Sequence, residues 1–211
     1  MPQSSSADTA MSTHHQHSGA HMKMTPLRSP RPGDKEQAEK IVEHARAAIQ
    51  RYQDYRAAEA DGYHIFLPDV PQPMYHFTNW RYGAAASFVF DPDKPTSLLY
   101  EKTGDGYKLI GAMYTAPADS TERELNERVP LSVAQWHLHT NMCVAPRGRE
   151  REYFIPHPKF GLNGSITTRK ACTAAGGRFM PHLFGWMVHV YPFEKNEADV
   201  WSVERQMQHG D

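Results

Sequence analysis

The apolar positions change period once along the chain. Ala38, Ile41, Val42, Ala45, Ala48, Ile49, Tyr52 and Tyr55 recur at intervals of three and four, which predicts a helix with one apolar face from Asp34 to about residue 60. Asp34, with Gln37 three positions on, reads as its cap, and Gly62 as a left-handed stop. His44 lies off the apolar stripe and reads as a solvated surface residue. Beyond Gly62 the pattern shortens to runs of aromatic and β-branched residues punctuated by Pro, Gly and Asp, the signature of antiparallel sheet. Thr96 to Thr103 and Tyr107 to Thr115, around Gly104-Asp105-Gly106, predict a hairpin. Ser132 to Val144 and Gly185 to Phe193 predict two strands too apolar for an exposed edge. Short helices are expected from Thr121 to Val129 and from Thr168 to Ala175. The predicted class is therefore α+β: an N-terminal helix packed on a mostly antiparallel β region, barrel-like or sandwich-like.

Residues 1–33 follow neither period. They are rich in Ser and Pro and poor in bulky apolar side chains, so they are expected to form a disordered tail ahead of a single domain spanning 34–211. The tail carries His14, His15, His17, His21, Met22 and Met24, a mixture of imidazole and thioether donors that suits copper. A purification tag is the competing reading, although an interrupted His-His-Gln-His run continuing into Met-Lys-Met is unusual for one.

Charge narrows the partners. With 23 Lys and Arg against 24 Asp and Glu, the 211-residue chain lacks the basic excess of a nucleic-acid binder. No run approaches the 18 or more apolar residues of a membrane span, and no signal peptide is visible. Histidine is the residue in excess, at 13 positions, and it is clustered.

The central cluster is Trp136-His137-Leu138-His139-Thr140-Asn141-Met142-Cys143. Strand alternation puts His137, His139, Asn141 and Cys143 on one face, and two imidazoles one residue apart can close on a single ion. His189, inside the apolar run Gly185 to Tyr191, and His76, between Tyr75 and Phe77, are polar rings in core-like settings that need partners. Convergence of His137, His139, His189 and then His76 on one transition metal accounts for all four, with copper or zinc preferred and iron compatible. Four core histidines bound to carbonyls and carboxylates would account for them separately. Asn141 is the candidate to orient a ligand ring or a bound water. A carboxylate could complete a two-histidine triad for non-haem iron, with Glu101, Asp91 and Glu194 the candidates, each of which also reads as an ordinary solvated or turn residue. Cys143 and Cys172 are expected to form a disulfide, which requires an oxidising compartment, periplasmic or extracellular; Cys143 as a thiolate ligand is the alternative.

The segments Met-Tyr-His-Phe-Thr-Asn (74–79), Pro-Thr-Ser-Leu-Leu-Tyr-Glu-Lys-Thr-Gly (95–104), Trp-His-Leu-His-Thr-Asn-Met-Cys (136–143) and Phe-Gly-Trp-Met-Val-His-Val-Tyr-Pro-Phe-Glu (184–194) together resemble an uncharacterised family of bacterial exported proteins. The resemblance spans about residues 60 to 200 and implies export and a natural origin for the tail, but no activity. A cupin pattern also matches in the order His137, His139, His189, without the Glu expected shortly after the pair. Three functions follow from these residues. One is an exported protein that captures or handles metal. Another is a metal-dependent enzyme, a cupin-like oxygenase or hydrolase, with a small-molecule ligand. The third is a non-metal binding or structural domain. Whether the chain is an enzyme is left open by the sequence.

Overall fold

The computed structural model describes residues 19–70, 72–202 and 205. It is an α+β fold around one antiparallel sheet of seven strands: β1 (Met22–Met24), β2 (His64–Ile65), β3 (Tyr75–Thr78), β4 (Ser97–Thr103), β5 (Gly106–Ala116), β6 (His137–Val144) and β7 (Arg178–Val190). The strand order is β1-β6-β7-β5-β4-β3-β2, so the sheet is open and layered like a sandwich rather than closed as a barrel.

The expected long helix is interrupted. Helix α1 runs Asp34–Ile49, a 3₁₀ turn covers Gln50–Gln53, and α2 (Tyr55–Ala60) restarts with Asp54 accepting from the Arg56 amide. Gly33, not Asp34, is the first cap, in a left-handed conformation that favours glycine. Asp34 instead accepts from Arg28 at 2.6 and 2.7 Å, from the Ser132 hydroxyl at 2.6 Å and from the Arg31 amide at 2.7 Å. These bonds hold its carboxyl well below the usual carboxylate range, the Arg28 guanidinium first and Ser132 second. Helix α3 (Trp80–Ala86), which the apolar pattern does not announce, starts at Asn79, whose side chain accepts from the Arg81 and Tyr82 amides. Helix α4 (Glu122–Arg128) carries the Thr121–Glu124 capping box, and Thr168 caps α5 (Arg169–Ala174).

Order begins before the expected boundary at residue 34. Met22–Met24 form an edge strand paired with β6, and the chain then stays tied through Thr25 N–H to Trp136 O and Arg28 N–H to Leu131 O. A strand of three residues has little intrinsic preference; long-range pairing with β6 makes it.

The two sheet faces are chemically different. Ile41, Ala45 and Ile49 of α1 pack with Leu98, Tyr100, Ala112, Tyr114, Val188, Val190 and Trp136 in the main core. The opposite face carries a smaller cluster of Met74, Leu99, Met113, Met187 and Tyr191. The disulfide Cys143–Cys172 ties the end of β6 to α5 and packs with Phe160 as a third cluster.

Candidate metal centre

The methionine-rich face is strongly curled, and the curl assembles the site. In the sheet order, β3 and β7 are separated by β4 and β5, which would place them about 14 Å apart in a flat sheet. Yet the His76 and His189 rings are 5.5 Å apart between centroids. Two features permit this bend. The β4–β5 register slips between Leu99 and Tyr100, and Gly111, opposite Leu99, lets the backbone of β5 meet that of β7. A Cβ at Gly111 would lie 2.4 Å from the Val190 carbonyl oxygen.

The remaining rings continue the series. His137 lies 5.1 Å from His189 and 5.1 Å from His139, again between centroids. When imidazole nitrogens sit about 2.0–2.1 Å from one tetrahedral ion, ring centroids fall about 5 Å apart. Successive members of the series His139–His137–His189–His76 have that spacing, although they come from β3, β6 and β7. His137 and His189 are each 1% exposed and His139 is 8% exposed, so three imidazoles have been taken out of water. Among the described residues, no group of three or more His, Cys, Asp or Glu side chains is arranged so that it could hold a metal ion as it stands. What converges is ring position.

One ring has a visible support. The Tyr191 hydroxyl lies 3.4 Å from His189 Nδ1 and 3.9 Å from Met74 Sδ. With the hydroxyl donating to sulfur, its oxygen accepts the Nδ1 proton, an assignment that places the proton of the neutral ring on Nδ1 and makes Nε2 the ligating atom. Burial pushes the Tyr191 phenol well above its ordinary value, so it stays neutral and keeps both roles. Tyr191 was legible only as the next position on the histidine face, two residues beyond His189.

The strand alternation assigned to β6 holds for His137 and His139 and fails after them. Asn141 has φ 55°, in the left-handed region, and beyond it Met142 and Val144 line the cavity beside the histidines. Asn141 therefore lies off the site; its amide approaches the Ala20 carbonyl at 3.5 Å, at the β1 edge. Cys143 is disulfide-bonded, which removes it as a thiolate ligand. Glu101 is exposed, Asp91 bonds Lys94 and Glu194 bonds Arg205, and none of the three is among the residues lining the cavity on which the histidines open.

Of the tail donors, His14, His15 and His17 lie outside the described residues. His21 is buried, with Nδ1 3.2 Å from the Thr140 carbonyl and Nε2 2.5 Å from the Gly164 carbonyl. It anchors β1 to the sheet and to the loop before α5, a role unlike that of a mobile ligand. Met22 and Met24 sit directly across from His139 and His137 in the β1–β6 register.

The four histidines open into a cavity of about 600 Å³, whose other walls include Phe66, Met74, Phe160, Leu183, Phe184 and Met187. The loop between β6 and α5 forms one wall and is tied down by Tyr153, whose hydroxyl accepts from the Ala145 amide at 2.8 Å, and by the disulfide. Compared with known proteins, the chain matches no family model, no curated protein and no solved structure.

Proposed function

We propose that this chain is an exported metal-binding protein whose ion is held by His137, His139, His189 and His76. The observation that carries the reading is the spacing of 5.1, 5.1 and 5.5 Å between successive imidazole rings drawn from three strands. Copper or zinc suits neutral imidazole, and the thioethers of Met74, Met142 and Met187 around the same cavity favour copper of the two. The Cys143–Cys172 disulfide supports an oxidising, periplasmic or extracellular location, as does the resemblance to an exported bacterial family. Metal capture or handling is the role, with Met22 and Met24 on the strand opposite the histidine pair leading back toward His14, His15 and His17.

A second reading, a metal-dependent enzyme of cupin-like oxygenase or hydrolase type, is favoured by the cavity. At about 600 Å³ it has the volume of a small-molecule site, and it opens on the same four rings. Titration of the metal-free protein with Cu(I), Cu(II) and Zn(II) tests the common premise. One tight equivalent that disappears in both His137→Ala and His189→Ala is expected. Unchanged binding in both variants, or no binding, leaves the histidines as core hydrogen-bonding groups of a non-metal domain.

A further inference from the structure

A four-histidine ion can take a further donor only by expanding to five-coordinate, and the walls of the cavity say what that donor would bring with it. Among the described residues, none of those lining it is Asp, Glu, Lys or Arg. The polar side chains other than histidine are those of Gln72, Tyr153 and Asn163. Gln72 Nε2 donates to the carbonyls of Phe66 at 2.7 Å and Leu67 at 3.1 Å, and the Tyr153 hydroxyl accepts from the Ala145 amide. The rest of the surface is aromatic, aliphatic or thioether.

The mouth is also apolar. Phe154 and Ile155 line the cavity while remaining 57% and 44% exposed. Phe184, also in the lining, packs against Phe66 at 4.8 Å and stacks with Trp80 at 5.6 Å and 26°, Trp80 itself being 58% exposed. Large apolar side chains kept in water around a concave opening mark a surface that something apolar covers.

From this we infer that the cavity binds an uncharged, largely apolar small molecule, oriented with a single nitrogen or sulfur donor toward the histidines and its hydrocarbon or aromatic body against Phe66, Phe160, Leu183 and Phe184. The inference rests on the metal reading of the four histidines and adds a ligand class to it. A charged group on the body of the molecule, held away from the ion, would be desolvated against the apolar walls, so a charge at that end is disfavoured. Discrimination comes from the body of the molecule, because every imidazole-like head offers the ion the same donor. The aromatic rim admits a flat ring and excludes a hydrated one.

The test uses the full chain loaded with Co(II), whose visible bands report a change of coordination, and three probes: imidazole, 4-phenylimidazole and 4-(imidazol-4-yl)benzoate. The first two share a donor and differ by an apolar ring, whereas the third adds a negative charge to that ring. The expected result is that 4-phenylimidazole shifts the Co(II) bands and binds about tenfold or more tighter than imidazole, the benzoate falling back to imidazole's affinity or below. Phe154→Asp and Ile155→Asp, at exposed positions where folding is not at stake, should each erase most of the phenyl advantage. Equal affinity for imidazole and 4-phenylimidazole, or equal affinity for the phenyl and benzoate probes, on protein holding one Co(II), overturns the inference and leaves the metal reading standing. Protein that takes up no Co(II), Cu or Zn overturns the metal reading and the inference with it.

Discussion

Replacing Tyr191 by Phe isolates one hydroxyl. The ring is 1% exposed and packed in the Met74, Leu99, Met113 and Met187 cluster, so Phe preserves the packing and opens no cavity. What is lost is the 3.4 Å contact with His189 Nδ1 and the weaker one to Met74 Sδ at 3.9 Å. Removing a group that orients a ligating histidine costs about 10- to 100-fold in metal affinity, and a contact this long belongs at the lower end, about tenfold or ~1.4 kcal/mol. Stability of the metal-free protein should change by less than about 1.5 kcal/mol, because the contact is one neutral hydrogen bond. Competition of Zn(II) or Cu(I) against a chromophoric chelator gives the affinity, and urea unfolding in excess chelator gives the stability. The reasoning is refuted if Tyr191→Phe binds metal within twofold of the parent while unfolding at the same urea concentration. It is refuted equally if affinity falls only in proportion to a loss of folding stability.

Other consequences concern the frame. Cys143→Ser with Cys172→Ser removes a cross-link between positions 29 apart and should cost about 3.5 kcal/mol by the chain-entropy relation; denaturant melts differing by under about 1 kcal/mol would show the loop held by packing alone. Gly111→Ala drives a Cβ to 2.4 Å from the Val190 carbonyl and 3.0 Å from the Tyr191 ring, so it should cost about 2–3 kcal/mol and weaken metal binding together. A neutral outcome there would mean that the sheet is less tightly curled than the ring distances require. The Asp34 carboxyl is held low by Arg28 and Ser132, so its contribution is complete above the unfolded value near 3.9 and is lost as pH falls from there toward the folded value. Urea melts of Asp34→Asn should therefore lie below those of the parent at pH 5–7 and approach them below pH 4, and a gap that widens in acid would contradict the assignment.

What the sequence makes legible here is what depends on neighbours in the chain. The hairpin over β4 and β5, the Thr121–Glu124 capping box, the Thr168 cap and the Cys143–Cys172 pairing follow from spacing and turn chemistry. Strand periodicity also puts His137 and His139 together, and their rings are neighbours. It fails at Asn141, because a left-handed residue reverses the alternation that a period-two reading assumes. It also starts β7 too late: Arg178 to Phe184 contains Pro181 and exposed side chains, and is a strand because β6 pairs with it. β1 escapes notice for the same reason, a three-residue Met-Lys-Met segment whose stability resides in Leu138 and the two histidines opposite. The meeting of His76 with His189 and the cavity above them depend on the curl at Gly111 and on the folded loop between β6 and α5, and neither is a local property of the sequence.

The central claim is that imidazoles from β3, β6 and β7 share an ion. Its most direct test is elemental analysis of the full chain with His14, His15 and His17 replaced by Ala, purified without an immobilised-metal column and equilibrated with limiting copper and zinc. Close to one equivalent of a single metal per chain, absent when His137→Ala and His189→Ala are added singly, is the predicted result. Metal that vanishes with the three tail substitutions alone, while the core histidines are intact, would contradict it.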